Sequence, residues 1–238
     1  MKHAQHMKSL HTIRLIRAGC VPYADALAWQ RELVAGRSAG QHGDTLLLLE
    51  HPPTITLGVR ADPCHVLLSS AELAQRGIAL VQSDRGGDVT YHAPGQLVGY
   101  PILKLAHHGA DLGRYIRNLE EVIIRTLADY ELAGLRLAGL TGVWVDGGRA
   151  KICALGVRLS AAGITSHGFA LNVNPDLVGF AQIVPCGINN RSVTSLQAML
   201  GYVPEDVSER VVYHVGAVFG VVIERTEEQR NRETGAHA

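Results

Sequence analysis

VWVDGGRAKICALGVRLSAAGITSHGFALNV, residues 143–173, is a chain that turns back on itself twice. Val143–Val145 reaches the turn Asp146-Gly147-Gly148 and returns through Ala150–Ser160. Ala162-Gly163 then reverses it again into Ile164–Val173. Runs of strand length joined by Gly-containing turns predict consecutive hairpins, hence antiparallel neighbours. Before this run, Leu112, Tyr115, Ile116, Leu119, Val122, Ile123, Leu127 and Tyr130 recur at helical spacing from Asp111, with Gly134 as a stop. Further back, Thr12–Arg17, Thr45–Glu50, Thr54–Leu57, Ile78–Gln82 and Leu97–Ile102 read as strands. A helix opening at Pro22 sets Leu27, Trp29, Leu33 and Val34 on one face, and Ser69 with Glu72 caps a short helix ending at Gly77. After the hairpins, Pro204–Phe219 returns to helical spacing. Strands and helices interleave without strict βαβ alternation. The expected fold is α/β of the α+β kind: a single domain whose mixed, largely antiparallel sheet is flanked by helices.

The 238 residues give a domain prior of ~1.6, and no Pro/Ser/Gly-rich linker divides them. The expected layout is a flexible leader over 1–10, one catalytic domain over 11–223 and a frayed polar tail over 224–238. Lys+Arg and Asp+Glu number 22 each, which argues against nucleic acid as a partner. No apolar stretch reaches the ~18–20 residues of a membrane span, and the first residues lack a signal-peptide core. Cys20, Cys64, Cys153 and Cys186 are widely spaced, so reduced thiols in a cytoplasmic protein are expected. No metal-ligand spacing occurs among the 12 histidines, so no metal is expected.

Four segments carry candidate chemistry. In Arg85-Gly86-Gly87-Asp88-Val89-Thr90-Tyr91-His92, paired glycines let the backbone approach a ligand, and Arg85 offers a planar fork of donors to an anion. A tight solvated hairpin is the plainer reading of Arg-Gly-Gly alone. Cys186 lies between Pro185 and Gly187, where the open Gly187 amide suits a thiolate nucleophile beside an oxyanion site. A cysteine is more often a buried apolar filler, and the other three are read that way. Lys151 opens an apolar strand, where its amine either snorkels to water or is held as a base. Gly168, Phe169 and Ala170 follow His167 on a strand with room for a ligand, and His167 and His92 can orient an acyl carbonyl.

LLLLEHPPTITLG, RGGDVTYHAPGQLVGYP, GRAKICALGVR, HGFALNVNPDL and IVPCGINNRSVTSL, in this order, resemble the octanoyl-[acyl-carrier-protein]:protein N-octanoyltransferases, or lipoate-protein ligase B family. The resemblance runs from about Thr12 to Phe219, and departs at Ala93, where the family commonly has glycine. It implies a fold shared with biotin- and lipoate-protein ligases. It implies that Cys186 carries the acyl group with Lys151 as base partner, without a cofactor. Arg85 to His92, Ala154-Leu155-Gly156 and Gly168-Phe169-Ala170 match substrate-contacting segments, with His167 and Gly187 in supporting places. The implied donor is octanoyl-acyl carrier protein. The implied acceptors are lipoyl domains of 2-oxoacid dehydrogenase complexes and the glycine-cleavage H protein.

The chemistry is consistent. A thiol near pKa 8.5 is a few per cent thiolate at neutral pH, and an adjacent amine can take its proton. Small residues at Gly156, Gly168 and Ala170 leave room for a straight acyl chain, worth ~0.8 kcal/mol per buried methylene. Arg149 and Arg158 are candidates for meeting an acidic carrier protein. Three other readings compete: an ATP-dependent lipoate or biotin ligase, a cysteine hydrolase with His167 or His92 as base, and a non-catalytic acyl- or lipoyl-domain-binding module.

Overall fold

The computed structural model describes residues 11–184 and 191–225. Its elements are β1 (Thr12–Cys20), α1 (Tyr23–Ser38), β2 (Asp44–Glu50), β3 (Thr54–Leu57), α2 (Ser70–Gln75), β4 (Ala79–Gln82), β5 (Val89–His92) and β6 (Gln96–Ile102). Then follow α3 (Leu112–Ala128), β7 (Leu135–Leu137), β8 (Leu140–Val145), β9 (Ala150–Leu159), β10 (Thr165–Asn172), β11 (Ser192–Val193), α4 (Leu196–Leu200), α5 (Val207–Phe219) and β12 (Val222–Arg225).

The main sheet runs β12-β1-β2-β6-β10-β9-β8-β7, with β11 added to β9. From β2 through to β7 every neighbour is antiparallel, while β12–β1, β1–β2 and β11–β9 are parallel. The expected mixed, largely antiparallel sheet is present. Strand β2 shows why: in Leu46-Leu47-Leu48-Leu49 alternate leucines enter opposite cores, so both faces need a cover. On one face α1 supplies Ala26, Trp29 and Leu33. On the other, α3 supplies Tyr115, Leu119, Val122, Ile123 and Leu127, and α5 supplies Val207, Val211, Val212 and Val215. Among the described residues no helix is long and apolar enough to cross a membrane.

A smaller sheet, β4-β3-β5, stands apart with its own core of Ile55, Leu73, Val89, Tyr91, Ala93 and Ile183. Its helix α2 has the capping box expected of Ser69 and Glu72. Ala93 is buried in this core.

Besides the short β11 and α4, which were not expected, three features differ from the sequence reading. Strand β1 continues past Arg17 to Cys20, its register against β2 shifting where Gly19 takes a positive φ. Short β7 pairs with β8 and was not expected. Glu224 and Arg225, assigned above to a frayed tail, close β12 by pairing with Arg14 and Leu15.

Candidate active site

The cavity that holds the candidate residues, about 500 Å³, opens between the Arg85–Thr90 segment, β9, β10 and the start of α3. Arg85, Gly86, Gly87, Asp88, Val89, Thr90, His92, Lys151, Ala154, Leu155, Gly156, His167, Gly168, Phe169 and Ala170 all line it. Tyr91 does not: its ring turns into the small core and packs edge-on against Phe180, 5.4 Å between centroids. Cys186 and Gly187 lie outside the described residues.

A bulge aims Lys151. Val143 pairs with Cys153 but Trp144 pairs with Lys151, so Ile152 is an extra residue in β9. Ala150, Ile152 and Cys153 consequently all enter the core under α3. Strict alternation would send Lys151 to the same side as Cys153. The bulge instead turns it to the side of Ala154 and Gly156, into the cavity. Only 9% of Lys151 is exposed, so its amine does not snorkel to bulk water. The ammonium lies 4.7 Å from the centroid of the Trp144 ring, and the Arg191 guanidinium 5.4 Å from it.

The twin-glycine turn is fastened to β9. Gly86 donates its N–H to Val157 O at 3.0 Å, and a Cβ on Gly156 would stand 2.7 Å from Gly86 O. Arg85 is the clamp inside this turn. Its guanidinium donates to Thr56 O (2.7 Å), Asp88 O (2.6 Å), Gly86 O (3.1 Å) and Thr56 Oγ1. The fork of donors read above as an anion site therefore shapes the loop through backbone carbonyls. Asp88 in turn accepts from the Asp62 N–H and pairs with His65.

Next to it, Asp84 meets both His167 and Arg158. His167 is 1% exposed and holds φ +55 within a strand, a conformation costly for a side chain and found at functional sites. Burial, with Arg85, Arg158 and Arg31 nearby, lowers its pKa to about 3. The ring is therefore neutral and donates Nε2–H to Asp84 Oδ1 at 2.7 Å. Arg158 is committed to Asp84 and Arg149 to Asp146, which weakens both as carrier-protein contacts.

The cavity floor is polar and internally satisfied. His92 donates Nδ1–H to Gln96 Oε1 (2.7 Å), and Gln96 Nε2 donates to Asn172 Oδ1 (2.9 Å). Asn172 Nδ2 donates to Thr194 O, and the Thr194 N–H donates to Lys151 O, both at 2.9 Å. One chain of bonds thus runs from His92 to the backbone of Lys151. Beside it, His51 donates Nδ1–H to Val21 O and accepts at Nε2 from the Tyr100 hydroxyl, each at 2.7 Å. Burial lowers the His51 pKa to about 4 and that of His92 well below its ordinary value. Tyr23 stacks on His92 and bonds Ser83.

Sequence reasoning missed Tyr23, His51, Tyr100, Gln96 and Asn172. The available signal was His51 itself, an imidazole two residues beyond the wholly apolar run Leu46–Leu49, where burial demands partners. The space here is tight. A Cβ on Gly99 would lie 2.1 Å from Cζ of Phe169. Gly99→Ala should push that ring toward the cavity and cost about 1–3 kcal/mol, read as a lowered urea midpoint; an unchanged midpoint would show that the ring can yield freely.

Comparison with known proteins joins this geometry. The catalytic-domain family of lipoyl protein ligases A and B matches residues 22–216. An octanoyltransferase of Chloroflexus aurantiacus (strain J-10-fl) is 63% identical over 214 residues, covering 89% of this chain and 96% of the relative. The chain belongs to the lipoyl protein ligase A/B family and, within it, to the octanoyltransferases. Another family member, the octanoyltransferase of Roseiflexus sp. (strain RS-1), is 56% identical over 212 residues and 88% of each chain. Among solved structures, a lipoate-protein ligase A bound with ATP superposes with TM-score 0.67 at 14% identity, over 92% of this chain and 90% of that one. The biotin protein ligase of Aquifex aeolicus in complex with biotin and ATP gives 0.54 at 15%, over 87% and 70%. At such identities the likeness establishes a shared fold.

Proposed function

We propose that this protein moves an octanoyl group from the thioester of acyl carrier protein to a lysine of lipoyl domains, through a thioester on Cys186 and without ATP. The acceptors are the lipoyl domains of 2-oxoacid dehydrogenase complexes and the glycine-cleavage H protein, and the reaction is cytoplasmic. The observation that carries this reading is the bulge at Ile152, which turns a buried amine into a ligand-sized cavity. The described chain stops at Val184 and resumes at Arg191, with Val193 paired to Lys151 and lining the same cavity.

In the first half-reaction Lys151 takes the Cys186 proton, and the thiolate attacks the thioester carbonyl. The carbonyl re-forms as the donor thiolate leaves, taking a proton from the Lys151 ammonium. In the second, the neutral acceptor amine attacks the octanoyl-cysteine. Its proton passes to Lys151, the amide forms and the Cys186 thiolate is released. One thioester exchanges for another, and then a thioester becomes a more stable amide, so no nucleotide is needed. A histidine-based hydrolase is poorly served, because both ring nitrogens of His92 face partners within the fold and burial lowers the His167 pKa to about 3, which makes it a weak base.

Intact-mass analysis after mixing with octanoyl-acyl carrier protein, without ATP, tests the proposal. An octanoyl adduct on Cys186 should appear and then chase onto an added lipoyl domain. Release of free octanoate would indicate the hydrolase, and silence until ATP and free acid are added would indicate a ligase. No adduct under any condition would leave the binding module.

A further inference from the structure

Strand β8 walls Lys151 from one side. Val143 and Val145 enter the core under α3, which leaves Gly142 and Trp144 on the opposite face, beside Lys151. Trp144 meets the ammonium and Gly142 meets the stem: a Cβ on Gly142 would stand 3.4 Å from Cε and 3.7 Å from Cδ of Lys151. That Cβ would also lie 2.8 Å from Cys153 O, and Gly142 holds φ +129, where side chains are disfavoured. The stem therefore follows a course set by the backbone at Gly142.

That backbone is held from outside the sheet. Glu120 of α3 is fully buried, an unusual place for a carboxylate, and the mechanism above does not use it. Its two oxygens have separate partners. Oε2 receives the partly exposed guanidinium groups of Arg117 (2.6 Å) and Arg136 (3.3 Å), which balance its charge. Oε1 accepts the Gly142 N–H at 3.1 Å. We infer that Glu120 is a positioning residue for acyl transfer: by holding Gly142 it fixes the wall against which the Lys151 stem lies, and so the place of the amine in the cavity. This rests on the transfer reading above, in which Lys151 moves the proton. A lysine stem is flexible, and ~1 Å of misplacement at a reacting group can cost about 10²-fold in rate.

Two conservative variants separate this role from plain charge pairing. Glu120→Gln keeps an oxygen for the Gly142 N–H and gives up the charge that the arginines balance. Glu120→Asp keeps the charge and, one methylene shorter, draws back from Gly142. Transfer from octanoyl-carrier protein to a lipoyl domain is measured at a temperature where thermal unfolding shows each protein folded. Glu120→Gln should keep kcat near that of wild type. In Glu120→Asp kcat should fall about tenfold or more with KM unchanged. A Glu120→Gln protein no faster than Glu120→Asp, or a loss in KM alone, would overturn the inference and leave the carboxylate to serve the fold only. Should Glu120→Gln fail to fold, wild-type kcat in Glu120→Asp would overturn it.

If the wild-type protein transfers no octanoate, the function proposed above fails, and NMR decides the positioning by itself. The chain has four lysines, Lys2, Lys8, Lys104 and Lys151, so 13C placed at lysine Cε gives a readable spectrum. The Trp144 ring shifts the Lys151 ε-protons upfield. That shift should persist in Glu120→Gln and shrink in Glu120→Asp; equal shifts in the two variants would remove the inference.

Discussion

Lys151→Met keeps the fold and loses octanoyl transfer by about 10²–10⁴-fold at neutral pH, the usual worth of a positioned proton-transfer group. Methionine preserves most of the volume between Trp144 and the cavity but carries no amine. Exchanging a buried cation for an apolar side chain is often neutral or stabilising, so the thermal midpoint should hold or rise. Activity and stability then move independently, which separates a chemical role from a packing one. Lys151→Arg should not rescue turnover, because a guanidinium does not deprotonate in this pH range. Single-turnover rates from octanoyl-carrier protein, with thermal unfolding of each variant, make the comparison. Wild-type rates in Lys151→Met would remove the amine from the mechanism and leave its burial without a purpose.

The second large effect is acid instability that begins well above the carboxylate range. His51 and His167 keep pKa values of about 4 and about 3 in the fold, chiefly through burial, and His92 is also held far below its ordinary value. Above pH 6.5 the folded and unfolded chains both carry these rings neutral, and their contribution is complete. As pH falls below 6.5 the unfolded chain binds protons that the native protein refuses. Stability is then lost until the folded pKa values are reached. For His51 alone the interval corresponds to about 3 kcal/mol, and His51 with His167 gives a slope approaching ~3 kcal/mol per pH unit near pH 5, with His92 acting in the same direction. Bonds from His108, Arg37 and Lys104 outweigh burial at Asp44 and hold its carboxyl low, so its contribution is lost only below the ordinary carboxylate range. Urea midpoints between pH 7.5 and 4.5 read the slope directly. A midpoint flat from pH 7 to pH 5 would mean that these rings are not buried neutral.

What the sequence disclosed followed from local chemistry. Asp146-Gly147-Gly148 and Ala162-Gly163 announced their turns because positive φ is needed there and glycine supplies it. The Asp111 cap, the Ser69–Glu72 box and the periodic face of α3 were legible for similar reasons. What stayed hidden depends on partners far along the chain. Val222–Arg225, two apolar residues followed by two charged ones, is too short to announce a strand by itself and is one because β1 lies beside it. The orientation of Lys151 was unreadable, since an alternating pattern has no symbol for the extra residue at Ile152. Arg85 was found, but its carbonyl partners come from Thr56, Gly86 and Asp88, so the sequence showed its importance without its task. Of the described residues named for the cavity all but Tyr91 line it, while Arg60, Leu140, Thr141, Phe180 and Val193 line it and were not named. Its floor was missed, because Tyr23, His51 and Tyr100 meet from a helix, a loop and a strand.

The pairing of β1 with β12 has a consequence during folding. Thr12 meets Val222 across nearly the whole described chain, so loop-closure entropy delays this rung until most other contacts exist. Meanwhile β1 holds β2 on one side and presents bare N–H and C=O groups on the other, a ready template for a second molecule. Clipping the chain before Val222 would leave that template permanently uncovered, and such a shortened protein should form aggregates under conditions in which the longer one stays dispersed.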